Sequence, residues 1–115
     1  MIFDHRTYTC APGTVHLQLA IYDRYGRAAQ EKHLGMPIFY GIVETGPLNS
    51  YVHIWPYRDS ADRSARRAAL KADPVWQTFL ARNAEAGYLQ TQSTMILTAA
   101  TFFDPAGRDK HSARS

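Results

Sequence analysis

The order strand, helix, strand, strand, helix, strand predicts an α+β domain of the ferredoxin-like type, βαββαβ, with an antiparallel four-stranded sheet in the order 4-1-3-2 and both helices on one face. Three observations carry this. Four short runs rich in β-branched and aromatic residues alternate in character, Ile2–Thr9, Ile38–Glu44, Tyr51–Tyr57 and Leu89–Leu97. Two stretches of helical periodicity separate the first run from the second and the third from the fourth. The middle runs are joined by Gly46-Pro47-Leu48-Asn49, all but the leucine turn formers, which makes them a hairpin.

The first strand alternates Phe3, His5 and Thr7 against Ile2, Asp4, Arg6 and Tyr8. Pro12-Gly13-Thr14 then opens a helix whose apolar stripe is Val15, Leu19, Tyr22, Gly26 and Ala29, widened by Leu17, Ile21 and Ala28. Its opposite side carries Asp23, Arg27 and Glu31 at i, i+4 spacing, a solvated pattern. Gly35 is the expected stop. After the hairpin, Asp59 or Ser60 caps a helix in which Ala61, Ala65, Ala68 and Ala72 form the expected buried stripe, with Arg63, Arg66, Arg67 and Lys71 on its solvated face. Asp73-Pro74 restarts the helix as cap and first position. Trp76, Phe79, Leu80 and Asn83 continue the inner face, and Gly87 ends it.

A chain of 115 residues has room for one core. Residues 1–103 are read as one domain and 104–115, which lack apolar periodicity, as a disordered tail. No apolar run approaches the roughly 20 residues of a membrane span and no leader precedes the first strand, so a cytoplasmic protein without membrane contact is expected. The single cysteine, Cys10, excludes an intramolecular disulfide. The net charge of +3 is spread over helix faces and the tail rather than set beside aromatic platforms, so no nucleic-acid partner is expected. Gly-rich phosphate loops, H-E-x-x-H and C-x-x-C are missing from the sequence.

The run FDHRTYTCAPG (Phe3–Gly13) and the stretch GPLNSYVHIWPYRDSADRSARRAALKADPVWQTFL (Gly46–Leu80) resemble the NIPSNAP family, whose members carry an R-T-Y-T strand and a V-H-x-W-x-Y strand that feeds an alanine- and arginine-rich helix. The resemblance covers about residues 2–103. It implies the dimeric α+β barrel arrangement, in which two such sheets pack face to face. It brings no catalytic residues to carry over.

On the third strand Tyr51, His53, Trp55 and Tyr57 share a face, and Val52 and Ile54 share the other. Placing His5 and Thr7 of the first strand beside the aromatic set gives a cleft between sheet and helices. Its expected ligand wall is Thr7, Tyr51, His53, Trp55 and Tyr57, with His5 and His53 as the candidate catalytic bases. The other face then carries Asp4, Arg6, Tyr8, Val52 and Ile54, too apolar to face water, and is expected to be covered by a twin subunit, with Glu44 in reach of the Asp4–Arg6 pair. No metal is expected, because two strand histidines lack a third ligand and Asp4 turns away from them. His16 belongs to the polar side of the first helix, and His33 to the rim of the cleft.

Three functions follow from this arrangement. One is a small homodimeric domain that binds an apolar or aromatic molecule in the cleft, without a cofactor. A second is a cofactor-independent monooxygenase- or cyclase-like enzyme that uses a cleft histidine, a reading drawn from relatives of the barrel architecture. The third is a structural or partner-binding module whose cleft is filled.

Overall fold

In the computed structural model, which describes residues 1–105, strand β1 (Ile2–Cys10) leads into a helical segment made of α1 (Val15–Ile21), a π-helical turn (Tyr22–Gly26) and α2 (Arg27–Leu34). Strands β2 (Phe39–Ile42) and β3 (Ser50–Tyr57) form the hairpin. Helices α3 (Ser60–Ala72) and α4 (Pro74–Ala86) precede β4 (Leu89–Thr98). The sheet order is β2-β3-β1-β4, and every neighbouring pair is antiparallel. The fold is therefore the expected ferredoxin-like one. Most of the expected tail, from residue 106 onward, lies outside the described residues.

Local chemistry accounts for the helix ends. The Asp59 carboxylate accepts the backbone N–H of Asp62 at 2.8 Å, and the Asp73 carboxylate accepts that of Val75 at 2.8 Å with Pro74 at the first helical position. Asp73 also accepts from His33 Nε2 at 2.8 Å, which ties the end of α2 to the junction of α3 and α4. Gly87 ends α4 in the left-handed conformation, at φ 67°, which costs a glycine nothing. Among the described residues no helix is long and apolar enough to cross a membrane.

The register of the central strands corrects the expected pairing. Arg6 stands opposite His53, Asp4 opposite Trp55 and Tyr8 opposite Tyr51, so Asp4, Arg6 and Tyr8 share the helix-covered face with the aromatic set. His5 and Thr7 pair with Ile54 and Val52 and lie on the uncovered face. A slip of one residue exchanges every side chain between faces, and the expected arrangement differed by that one step.

The rotation of α3 is also the reverse of the expected one. Ala61, Ala65, Ala68 and Ala72 are exposed, whereas Arg63 and Arg66 turn inward and Leu70 is the buried anchor. The Arg63 guanidinium donates to Asp4 Oδ2 at 2.9 Å. That of Arg66 donates to Asp62 at 2.9 Å and to the Leu34 carbonyl at 3.1 Å, where it caps the end of α2. Long aliphatic stems let arginines cover apolar surface while their charged ends reach partners. A helix with partners for its arginines on the inner side has no need to bury its alanines.

The main core is Trp55 and Tyr57 of β3 against Ala29, Leu34 and Leu70, with a second cluster of Cys10, Val15 and Tyr51. The first helical segment reaches both because the π turn inserts an extra residue: the Arg27 N–H donates to the Tyr22 carbonyl, five residues back. Val15, Gln18, Tyr22, Gly26, Ala29 and Gln30 are all buried on its sheet-facing side. Gly26 is the closest approach of this segment to α4, since a Cβ there would stand 2.8 Å from Phe79 Cγ. Gly26→Ala is therefore expected to destabilise the fold by about 1–3 kcal/mol through overpacking, against the usual benefit of alanine in a helix, as read from the midpoint of denaturant unfolding.

Candidate functional site

Between the helix-covered face of the sheet and the helices lies a cavity of about 520 Å³. Its floor is built by the cross-strand register, which sets Tyr40, His53 and Arg6 in one row and Tyr51, Tyr8 and Gln92 in the next. Trp55 continues the floor. Tyr22, Gln18, Gln30 and Leu34 come from the first helical segment, Arg67, Leu70 and Lys71 from α3, and Trp76, Phe79 and Asn83 from α4.

The aromatic rings on the floor are stacked in series. Tyr22 stacks on Tyr40 at 4.9 Å, Tyr40 on His53 at 4.7 Å, His53 on Tyr8 at 5.2 Å and Tyr8 on Tyr51 at 5.1 Å, with interplanar angles of 17° or less. Phe79 closes the row edge-on to Tyr22 at 5.8 Å. Such pairs contribute about 0.5–1.5 kcal/mol each beyond their buried area and hold the wall rigid. Burial pushes the phenols of Tyr40, Tyr51 and Tyr22 well above their usual value, so the wall is neutral.

His53 is 3 % exposed, and its Nδ1 accepts the indole N–H of Trp55. Indole only donates, so the neutral imidazole carries its hydrogen on Nε2. Burial, reinforced by the charge of Arg6, pushes its pKa down to about 3. The ring is neutral at physiological pH and offers a donor.

Charge enters the cleft from one sign only. Among the described residues, those that line it include Arg6, Arg67 and Lys71 and no carboxylate. Arg6 grips Asp4 through Nε at 2.9 Å and Nη2 at 3.2 Å, and the same carboxylate takes Arg63. Burial would raise the Asp4 pKa, but hydrogen bonds from Arg6 and Arg63 outweigh it and hold the carboxyl below its ordinary value. One carboxylate thus neutralises one of two guanidiniums. Three amide oxygens that belong to lining residues, Gln18 Oε1, Gln30 Oε1 and Asn83 Oδ1, are buried without a hydrogen-bond partner among the described residues. Gln18 is 1 % exposed and Gln30 7 %, so solvent does little for either.

Of the expected ligand wall, Tyr51, His53 and Trp55 line the cavity. Tyr57 is buried in the core beside Leu34 and Leu70 and does not reach it. Thr7 and His5 are on the other face of the sheet, so the two candidate bases are not brought together. Conversely, Asp4, Arg6 and Tyr8, expected at a subunit interface, are under the helices, while Val52 and Ile54 do lie on the uncovered face. Sequence reasoning passed over Tyr40, Gln18, Gln30 and Arg67 as cleft residues. Cys10 is buried and its thiol pKa is raised by that burial, the ordinary state of a core cysteine. Among the described residues no three of His, Cys, Asp and Glu are grouped as metal ligands.

Comparison with known proteins places this geometry. A NipSnap homolog of Dictyostelium discoideum is 36 % identical over 81 residues, which are 70 % of this chain and 35 % of that protein, so the chain spans about a third of its length. Among solved structures, a NIPSNAP-like domain protein from Burkholderia xenovorans superposes with a TM-score of 0.83 at 36 % identity, covering 90 % of this chain and 89 % of the other. A NIPSNAP family protein from Agrobacterium tumefaciens gives 0.82 at 34 %, covering 91 % and 92 %. An antibiotic biosynthesis monooxygenase shares the fold alone, with a TM-score of 0.58 at 14 % identity over 87 % of this chain and 99 % of that one. Residues 3–103 match the NIPSNAP family profile, and on this match, which takes in all the strands and helices described above but for the first residue of β1, the chain belongs to the NIPSNAP family.

Proposed function

We propose that this protein is a small cytoplasmic homodimeric binding domain that holds a flat aromatic molecule in the cleft of each subunit. The observation that carries the reading is the cavity of about 520 Å³, walled by stacked rings and edged by buried amides that lack partners. A volume of this order lies within the range of small-molecule sites, and aromatic walls with a few polar groups are their usual composition. A filled cleft would leave no such space. The cofactor-independent enzyme reading needs a base, and the geometry supports His53 as a hydrogen-bond donor instead, since its Nδ1 is occupied and its free nitrogen carries the hydrogen.

Support for the dimer comes from the uncovered face of the sheet. Register aligns Phe39, Ile54, His5 and Met95 in one row across all four strands, with Pro56, Phe3 and Leu97 in the next but one. Phe39 is 53 % exposed, Met95 52 % and Leu97 40 %. A sheet face that exposes Phe39, Met95 and Leu97 while helices cover its other side is suited to a second copy of the same face.

Three measurements test these readings. In a thermal-shift series of flat aromatic compounds, a ligand present at about 100 times its Kd is expected to stabilise the native state by about 2.7 kcal/mol; a series in which no compound raises the melting temperature would leave the cleft without a ligand. Because the His53 pKa falls from 6.5 to about 3 on folding, the unfolded state binds the extra proton, so stability is full above pH 6.5 and declines as pH drops toward 3. His53→Gln is expected to flatten that decline between pH 6.5 and 5, above the carboxylate range, in unfolding curves recorded across pH; an unchanged slope would show that His53 is not held neutral. Finally, light scattering at micromolar concentration is expected to report a dimer for the wild type and a folded monomer for Val52→Asp, which sets a charge in the centre of the apolar face; a monomeric wild type contradicts the assembly.

A further inference from the structure

We infer that the cleft selects an anion, a flat aromatic ring bearing a carboxylate or an equivalent acidic group, with Arg67 and Lys71 as the residues that read its charge. The inference rests on the binding reading above and specifies the class of ligand.

Three observations converge on it. Among the described residues the lining contains three cationic side chains and no carboxylate, so the charged groups they bring to the cavity are of one sign. Arg6 is committed to Asp4, whose single negative charge is shared with Arg63, and this cluster keeps one positive charge uncompensated beneath the floor. Arg67 and Lys71 have no carboxylate partner among the described residues, and they stand one helical turn apart on α3, where Lys71, like Leu80 of α4, lines the cavity and is exposed, so that solvent reaches the cavity at this point. Two cations four residues apart on a helix repel one another, and an anion between them relieves that repulsion.

The remainder of the lining fits the rest of such a molecule. Tyr40 and Tyr51 bring neutral aromatic rings to the floor, which suit a planar ring and reject nothing on the basis of charge. The buried amides of Gln18 and Gln30 lack a partner for one atom each, which assigns the closed end of the cavity to a polar substituent that can hydrogen-bond to them. The ligand therefore enters ring first, with its acidic group held at the mouth. Charge-assisted hydrogen bonds are about twice as strong as neutral ones, so the acidic group, more than ring contact, decides between related compounds.

The test is a calorimetric titration of the full-length protein with 2-naphthoate and with the neutral analogue 2-naphthalenemethanol, on the wild type, on Arg67→Gln/Lys71→Gln and on Arg58→Gln, an exposed arginine outside the cleft that serves as a charge control. The expected result is that wild type and Arg58→Gln bind the acid about tenfold or more tightly than the alcohol, the ratio that one charge-assisted contact supplies, and that the double variant binds both alike. Circular dichroism of the double variant is expected to be native, since among the described residues neither side chain makes an ion pair. Equal affinity of acid and alcohol for the wild type would overturn the anion inference while leaving the cleft a binding site. A preference for the acid that persists in the double variant would overturn the assignment of Arg67 and Lys71. Failure of both probes to bind would remove the binding reading itself and this inference with it.

Discussion

The buried Asp4 carboxylate accepts hydrogen bonds from Arg6 on its own strand and from Arg63 on α3, and the register of β1 and the rotation of α3 meet at this point. Fully buried, it could not remain ionised without those partners. With β1 shifted by one residue, Asp4 would face the uncovered side of the sheet and Arg63 would point at a strand with no acid to meet it. With α3 turned to bury its alanines, the arginines would be in water and the carboxylate alone. Buried ionic networks of this kind add little net stability compared with apolar packing, but breaking one is costly, which makes them effective in fixing a single arrangement. The position of Arg6 beneath the cleft, and hence the charge of the cleft, follows from it.

The cavity owes its shape to a second constraint, the π turn at Tyr22–Gly26. A regular α-helix would carry its stripe gradually around the axis. One inserted residue instead keeps buried residues on the sheet side before and after the turn, at a local cost in hydrogen-bond geometry. Tyr22, at its start, stacks on Tyr40 and meets Phe79 edge-on, while Gly26, at its end, lets α4 approach. The helical segment thus rests on the sheet at one end and on α4 at the other. Space is left between them, and the two buried glutamines border it.

The two faces of the sheet have different chemistry. Beneath the helices, each row runs from aromatic residues to a polar or charged one, Tyr40 and His53 to Arg6 and Tyr51 and Tyr8 to Gln92. On the uncovered face, apolar side chains from four strands form rows broken by small residues such as Gly41 and Thr7. The first arrangement borders the cavity and the second leaves apolar side chains exposed. Both come from the same strands, because successive residues of a strand point to opposite sides. A substitution in β1 or β3 therefore acts on one face or the other according to whether its number is odd or even.

The sequence by itself determined the order of elements, the antiparallel sheet order, the caps at Asp59 and Asp73 and the membership of Tyr51, His53 and Trp55 in one side of β3. These features are local: a cap needs a side chain within three residues of its N–H, and alternation needs only neighbours along the chain. Which residues of β1 join that side was not local. Alternation sorts a strand into two sets without saying which set faces the helices, and the choice was made by a carboxylate and an arginine 59 residues apart. The same holds for the two faces of α3, one of alanine and one of arginine, where composition favoured burying the alanines and the partners of the arginines decided otherwise. The cavity was the least legible feature of all. Its volume is the difference between the space under the helices and the side chains that fill it, and no segment of sequence contains that difference.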